Sequence, residues 1–158
     1  MPNVKNESTP AFLKNTLETL DQLDTEAVAV GISTDLKPPL GVLGLLDWRL
    51  CGSISLLIRQ GTITGQDDES ILISTYGRIK APCVFLFGWG EKKMFSDSYQ
   101  SNLHRMFASL KKAKIKTCAL AMPIDYEDAI KLAPVLMQKT LPFELSGIFE
   151  PKAKHRNP

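Results

Sequence analysis

The 158-residue sequence has three cysteines, no long apolar run and almost no excess of charge. Cys51, Cys83 and Cys118 lie far apart, form no CxxC pair and leave an odd count, so we expect reduced thiols in a cytoplasmic protein rather than a disulfide scaffold. Lys and Arg number 19 against 17 Asp and Glu, and a formal charge of +2 gives no electrostatic basis for a dedicated nucleic-acid or polybasic membrane binder. No stretch approaches the ~20 apolar residues of a membrane span, and the polar start lacks the apolar core of a signal peptide.

Motifs for common enzyme chemistries are also missing. The sequence contains no GxxxxGK[ST] and no GxSxG, and a dinucleotide fingerprint beginning at Gly88 fails because Lys93 stands where its third glycine is required. His104 and His155 have no cysteine or carboxylate at zinc-ligand spacing. We therefore predict no metal site, no cofactor and no catalytic residue, and we interpret the three cysteines as core residues rather than nucleophiles.

The overall composition is that of a folded domain, with 44% hydrophobic and 23% charged residues. We find no internal repeat. The sequence predicts a disordered N-terminus over 1–8, a single α/β domain over 9–150 and a basic, flexible tail over 151–158.

Hydrophobic spacing predicts helices and strands in alternation along this domain. Thr9 and Pro10 indicate a helix start, and Pro134 should kink or split a later helix that Asp125 could cap. The helices are predicted over 9–23 and 42–59, from about 97 to the lysines at 111–114, and after 125; the strands over 27–32, 70–75, 83–87, 117–122 and 145–149. The pairing of the second and third strands is left open, with an antiparallel hairpin as one option.

This order of elements predicts a three-layer α/β/α fold with a mixed, mostly parallel sheet, because uncharged strand runs are typical of strands buried on both faces. The expected core comprises Val28, Val30, Leu46, Leu50, Ile54, Val84, Leu86, Phe107 and Leu120. Asp47 and Arg49 lie two residues apart on a helix and do not face each other, so we expect separate partners for them.

The candidate ligand-binding residues are Asp35, Gly88, Trp89 and Gly90. Asp35 follows the first strand, and the three others read as a glycine turn between a strand and a helix. Open α/β sheets bind ligands in the crevice at the carboxyl ends of their strands, where backbone amides and a helix N-terminus can hold an anion. A tight turn explains the glycines without a ligand and is the favoured interpretation, and a solvated turn explains Asp35 equally well.

Four segments carry a family resemblance: 27–32 (AVAVGI), 47–55 (DWRLCGSIS), 63–65 (ITG) and 84–90 (VFLFGWG). Together they resemble the N-terminal domain of the leucyl aminopeptidase (M17) family, which has a macro-domain-like fold. The last segment is similar to the family's apolar strand ending in Gly-Leu-Gly, with Trp89 in place of leucine. The similarity spans roughly residues 25–150.

The resemblance implies a free-standing, noncatalytic binding or interaction module that acts on an unknown protein partner or small ligand and could self-associate, as the aminopeptidases do. The family's two-metal catalytic domain and its Asn-Thr-Asp-Ala-Glu-Gly-Arg type motif are absent from this sequence, so no catalytic or metal residue is carried over. The relation to macro domains implies an alternative function, the binding of a nucleotide or ADP-ribose with or without weak hydrolysis. In that case Asp35 would accept from a ribose or base, the glycine amides would face phosphate and Trp89 would stack.

Overall fold

The computed structural model describes residues 12–35, 41–91, 95–124, 126–138 and 141–150. These residues form six strands and five helices, interspersed along the chain. In chain order they are β1 (Phe12–Leu13), α1 (Leu17–Gln22), β2 (Ala27–Ser33), α2 (Gly41–Arg49), α3 (Ser53–Arg59), β3 (Ser70–Ser74), β4 (Cys83–Gly90), α4 (Phe95–Lys112), β5 (Thr117–Ala121), α5 (Tyr126–Gln138) and β6 (Glu144–Phe149).

The strands form one sheet with the order β1-β6-β5-β2-β4-β3. The β3–β4 pair is antiparallel, and the four other pairs are parallel. The predicted mixed, mostly parallel sheet is confirmed, and the pairing that the sequence left open is an antiparallel one.

Helices cover both faces of this sheet and give the predicted three layers. On one face, Leu20 of α1, Leu46 of α2 and Ile54 of α3 pack on β2 and β4. On the other face, α4 and α5 pack through buried side chains such as Met106 and Leu136. Successive strand residues alternate between the two layers, which is why every residue of β2 is buried and uncharged. The predicted core residues are buried except Phe107, which is partly buried.

The start of the domain differs from the prediction. Phe12 and Leu13 form a strand, not a helix, because they pair in parallel with β6 and the Glu150 N–H donates to the Leu13 carbonyl at 2.9 Å. The helix begins after Thr16, whose hydroxyl accepts from the Thr19 N–H at 3.2 Å as an N-cap. The apolar spacing of this segment fits both structures, and the tertiary pairing decided between them. Thr9, Pro10 and the predicted terminal segments 1–8 and 151–158 lie outside the described residues.

The helix predicted over 42–59 is two helices, α2 and α3, which meet at a 110° bend. Cys51 and Gly52 between them have φ of 56° and 80°, and this left-handed pair ends α2. The Asp47 carboxylate then accepts from the backbone N–H of Ser55 at 2.9 Å and from its hydroxyl, so it caps α3 from outside that helix. Cys51 is exposed at this turn, contrary to its predicted place in the core.

Among the described residues no single helix is long and apolar enough to cross a membrane, although α2 and α3 taken together across their bend meet that criterion of length and composition.

Two further expectations concern helix side chains. Arg49 donates to the Asp21 carboxylate at 2.8 and 2.5 Å and ties α2 to α1, so Asp47 and Arg49 do have separate partners. The helix α5 runs through Pro134 without being split. Pro134 is exposed, and Asp125, the predicted cap, lies outside the described residues.

Candidate functional site

The carboxyl ends of β2 and β4 lie side by side. The border of the sheet that these strand ends form is the edge meant throughout the description of the site. Ser33 pairs with Gly90, and the Thr34 N–H donates to the Gly90 carbonyl at 3.1 Å. Asp35 is exposed two residues beyond β2, where its carboxylate accepts from the Ser33 hydroxyl. The fold therefore brings Asp35 and Gly90 to the same edge, where open α/β sheets bind ligands.

The Gly88-Trp89-Gly90 segment ends strand β4 and is not a turn before α4, so that part of the prediction is wrong. The Gly88 N–H donates to the Glu69 carbonyl at 2.9 Å, and the Gly90 N–H donates to the Gly65 carbonyl at 2.8 Å. A Cβ atom on Gly88 would lie 1.5 Å from the carbonyl oxygen of Gln66. Both glycines let the 65–69 segment lie directly against the strand, and that packing uses their amides within the protein.

Trp89 is buried, with 1% of its surface exposed. Its side chain belongs to the apolar layer between the sheet and α4, with Phe87, Leu103 and Met106. A ligand at the surface does not reach this indole in the described conformation. The solvent-exposed indole is that of Trp48 in α2, which is 73% exposed.

Glu69 holds the 65–69 segment in place. Its carboxylate accepts from the backbone N–H groups of Thr64 and Gly65, both at 2.7 Å, and from the Thr64 hydroxyl at 2.5 Å. Partial burial raises the pKa of Glu69, but the hydrogen bonds from Thr64, Gly65 and Gln66 outweigh it and leave the pKa below its ordinary value. From the sequence, 65–69 was interpreted as a polar connector. The signal for the turn was Glu69, an acid four residues after Gly65 and five residues after Thr64, a spacing that is compatible with these hydrogen bonds.

We predict that Glu69→Gln lowers the free energy of unfolding by about 1 to 3 kcal/mol at pH 7, because an amide group cannot accept all three hydrogen bonds. Since folding lowers the pKa of Glu69, the contribution of its carboxylate is complete above the ordinary glutamate pKa and is lost as the pH falls through the lowered value. The difference between wild type and variant in urea unfolding should therefore shrink below about pH 4. Asp68→Asn, at an exposed acid of the same segment, is the control. A pH-independent difference would contradict the assignment.

Sequence reasoning missed a polar cluster beside this edge. Asn102 of α4 is buried and donates to the Trp89 carbonyl at 3.2 Å, and Arg105 donates to the Asn102 side-chain oxygen. The same guanidinium lies 4.0 Å from the Asp67 carboxylate. The buried Nε of Arg105 finds no hydrogen-bond acceptor within the part of the chain that the structure describes. The sequence did contain one signal for this cluster. Asn102 lies four residues before Met106, so it places a polar amide on the apolar stripe of α4.

Histidine and cysteine side chains lie elsewhere. His104 faces an open groove of about 590 Å³ between α4 and Pro142. Burial raises the pKa of the Cys118 thiol to about 12 and also raises that of Cys83. Across 12–35, 41–91, 95–124, 126–138 and 141–150, no three His, Cys, Asp or Glu side chains come together as a metal-binding group would require.

Comparison with known proteins assigns the family. The sequence model described as "Cytosol aminopeptidase family, N-terminal domain" matches residues 28–137, which is well over half of the chain. The chain belongs to this family. A probable cytosol aminopeptidase of Sulfurihydrogenibium sp. is 32% identical over 101 residues, which cover 63% of this chain and 19% of that protein. The chain spans about a fifth of the length of the curated relatives it matches.

Solved structures agree on the fold. A tomato leucine aminopeptidase mutant superposes on 89% of this cytosol aminopeptidase domain and 32% of its own chain, with a TM-score of 0.55 and 17% identity. The macrodomain of Mycobacterium tuberculosis DarG covers 84% of this chain and 93% of its own, with a TM-score of 0.60 and 15% identity. The macro-domain-like fold expected from the resemblance is confirmed.

Proposed function

We propose that this chain acts as a noncatalytic binding or interaction module. The observation that carries the proposal is the family match itself, which is to the N-terminal domain of the cytosol aminopeptidases over residues 28–137. The domain would hold a partner or a small ligand and would not cleave peptides.

The use of the partly buried carboxylates supports this proposal. Glu69 is engaged by the amides of Thr64 and Gly65, Asp47 caps α3, and Asp21 holds Arg49. In each case the carboxylate accepts hydrogen bonds that join two parts of the fold. A general base or metal ligand would instead need to face a substrate.

An activity assay tests the noncatalytic role. We expect the purified protein to show no hydrolysis of leucyl arylamides above background when Mn²⁺ or Zn²⁺ is added. A hydrolysis rate that follows the protein through a gel-filtration peak, and that a chelator removes, would reject the proposal. Leu50→Ala purified in parallel reveals a contaminant, because a contaminating peptidase retains its activity when this chain is destabilised.

A second candidate function is the binding of a nucleotide or ADP-ribose at the edge that contains Asp35, Gly88, Trp89 and Gly90. The observation that favours it is the Arg105 guanidinium beside this edge, whose buried Nε finds no acceptor among the described residues. An anionic group of a ligand would pair with the exposed part of this guanidinium, since the Arg105 side chain is 42% exposed. Asp35 is exposed at the same edge and could accept from a ribose or base, whereas the Gly88 and Gly90 amides already donate within the protein.

Thermal unfolding in the presence of ADP-ribose, NAD and nucleotides tests this candidate. A ligand at about ten times its Kd should raise the Tm by about 3 to 6 °C. The shift should be lost in Arg105→Gln and reduced in Asp35→Asn, while Lys112→Gln, at an exposed cation of the same helix, should retain it. In a Trp48→Phe background, quenching of the buried Trp89 would show that the edge opens. No shift with any compound at millimolar concentration would reject ligand binding.

A further inference from the structure

Strand β3 forms one edge of the described sheet. It contains no charged residue and no proline, the features with which proteins commonly protect an exposed edge from pairing. Ile71 and Ile73 pack toward the α2–α3 layer, whereas Leu72 points to the opposite face and is 56% exposed. This edge is therefore a short, uncharged strand with an exposed leucine at its centre.

The hydrogen-bonding direction along β3 alternates. The Gly88 N–H donates to the Glu69 carbonyl and the Thr75 N–H donates to the Pro82 carbonyl, so the backbone groups at 69, 71, 73 and 75 face β4. The backbone groups of Ser70, Leu72 and Ser74 consequently face the outer edge.

The sequence of β3, Ser70-Ile71-Leu72-Ile73-Ser74, reads the same in both directions. In an antiparallel pair of two copies with a two-fold axis at Leu72, Ser70 faces Ser74 of the other copy and Leu72 faces its own equivalent. The three residues whose backbone faces outward are thus matched with one another, which allows roughly six inter-chain hydrogen bonds. The pair also covers both copies of the exposed Leu72 side chain.

Charges beyond the two ends of β3 favour the same orientation. Asp67 and Asp68 precede the strand, and Arg78 and Lys80 follow it. All four side chains are exposed, and three of them also have partners within the chain: Asp67 lies 4.0 Å from Arg105, Lys80 pairs with Asp24 at 3.4 Å, and Arg78 donates to the Cys51 sulfur at 3.0 Å. An antiparallel pair directs the acidic end of one copy toward the basic end of the other, at both ends of the interface. A parallel pair would place like charges together.

We propose that two copies of this chain form a symmetric dimer by antiparallel pairing of their β3 edges, which joins the two sheets into one. A five-residue strand pair buries less surface than a standard stable interface, so we expect a Kd of about 10 to 100 µM. The dimer depends neither on the proposed ligand nor on the absence of peptidase activity. A mass measurement tests it, whereas the assays above test the function.

Sedimentation equilibrium over about 1 to 300 µM brackets this Kd. We expect the mass of wild type to rise from 17.5 kDa toward twice that value. Leu72→Lys should remain monomeric at all these concentrations, because two cations would face each other at the two-fold axis. Leu56→Lys is the matched control, since Leu56 is 45% exposed on helix α3 and is not part of the sheet, and it should dimerise as wild type does.

Crosslinking tests the register of the pair. With Cys51 replaced by serine, Leu72→Cys should form a disulfide-linked dimer on mild oxidation, because hydrogen-bonded antiparallel partners lie about 5.5 Å apart at Cα. Leu56→Cys in the same background should not. A wild-type mass that stays at 17.5 kDa, a Leu72→Lys dimer, equal loss of dimer in both lysine variants, or failure of the Leu72→Cys crosslink would each overturn the proposal.

Discussion

Gly88→Ala should destabilise the domain by at least about 3 kcal/mol, one of the largest effects expected from a single methyl group. The added Cβ would lie 1.5 Å from the carbonyl oxygen of Gln66 and 2.5 Å from its carbonyl carbon. Both atoms belong to the backbone, so a side-chain rotation cannot relieve the overlap. The 65–69 segment would have to move away from β4, which breaks the hydrogen bond from Gly90 to Gly65 and disturbs the turn around Glu69.

Urea unfolding followed by circular dichroism measures this effect. Gly77→Ala is the control, because Gly77 has a φ of 73° with nothing within 4 Å of an added Cβ. It carries the cost of a left-handed alanine without a collision, roughly 1 to 2 kcal/mol. Equal losses in the free energy of unfolding for Gly88→Ala and Gly77→Ala would contradict the proposal that Gly88 is required for the 65–69 segment to pack on β4.

Leu50→Ala should cost about 2 to 5 kcal/mol. Leu50 is 4% exposed at the bend between α2 and α3, and it belongs to the apolar cluster that contains Leu46 and Ile54. The bend restricts how far its surroundings can collapse into the space left behind. Its backbone carbonyl also accepts from the N–H and the hydroxyl of Ser53, so neither helix can shift without disturbing the turn.

The matched control is Leu56→Ala on α3. Leu56 is 45% exposed, and we expect its truncation to cost less than about 1 kcal/mol in the same urea experiment. A loss below about half a kilocalorie per mole for Leu50→Ala would contradict the burial of Leu50.

The spacing of the apolar residues and the positions of the charged ones predicted most of the fold. The uncharged runs at β2, β4 and β5 fit strands buried on both faces, and the apolar stripe of α4 indicated a helix packed on one side. The same patterns failed where two structures satisfy them equally. An apolar pair such as Phe12 and Leu13 fits a helix or a strand, and the pairing with β6 made it a strand.

The sequence also determined part of the candidate site, and the tertiary structure decided the rest. The sequence determined that Asp35 follows a strand and that two glycines flank Trp89, and the order of the elements placed these residues near strand ends. Only the tertiary structure decided what the glycines do, because the 65–69 segment that packs against them is distant in sequence and carries no apolar periodicity. The joining of Asn102 and Arg105 to this edge likewise depends on how α4 lies across β4, and hydrogen bonds between distant segments leave no repeating pattern along a chain.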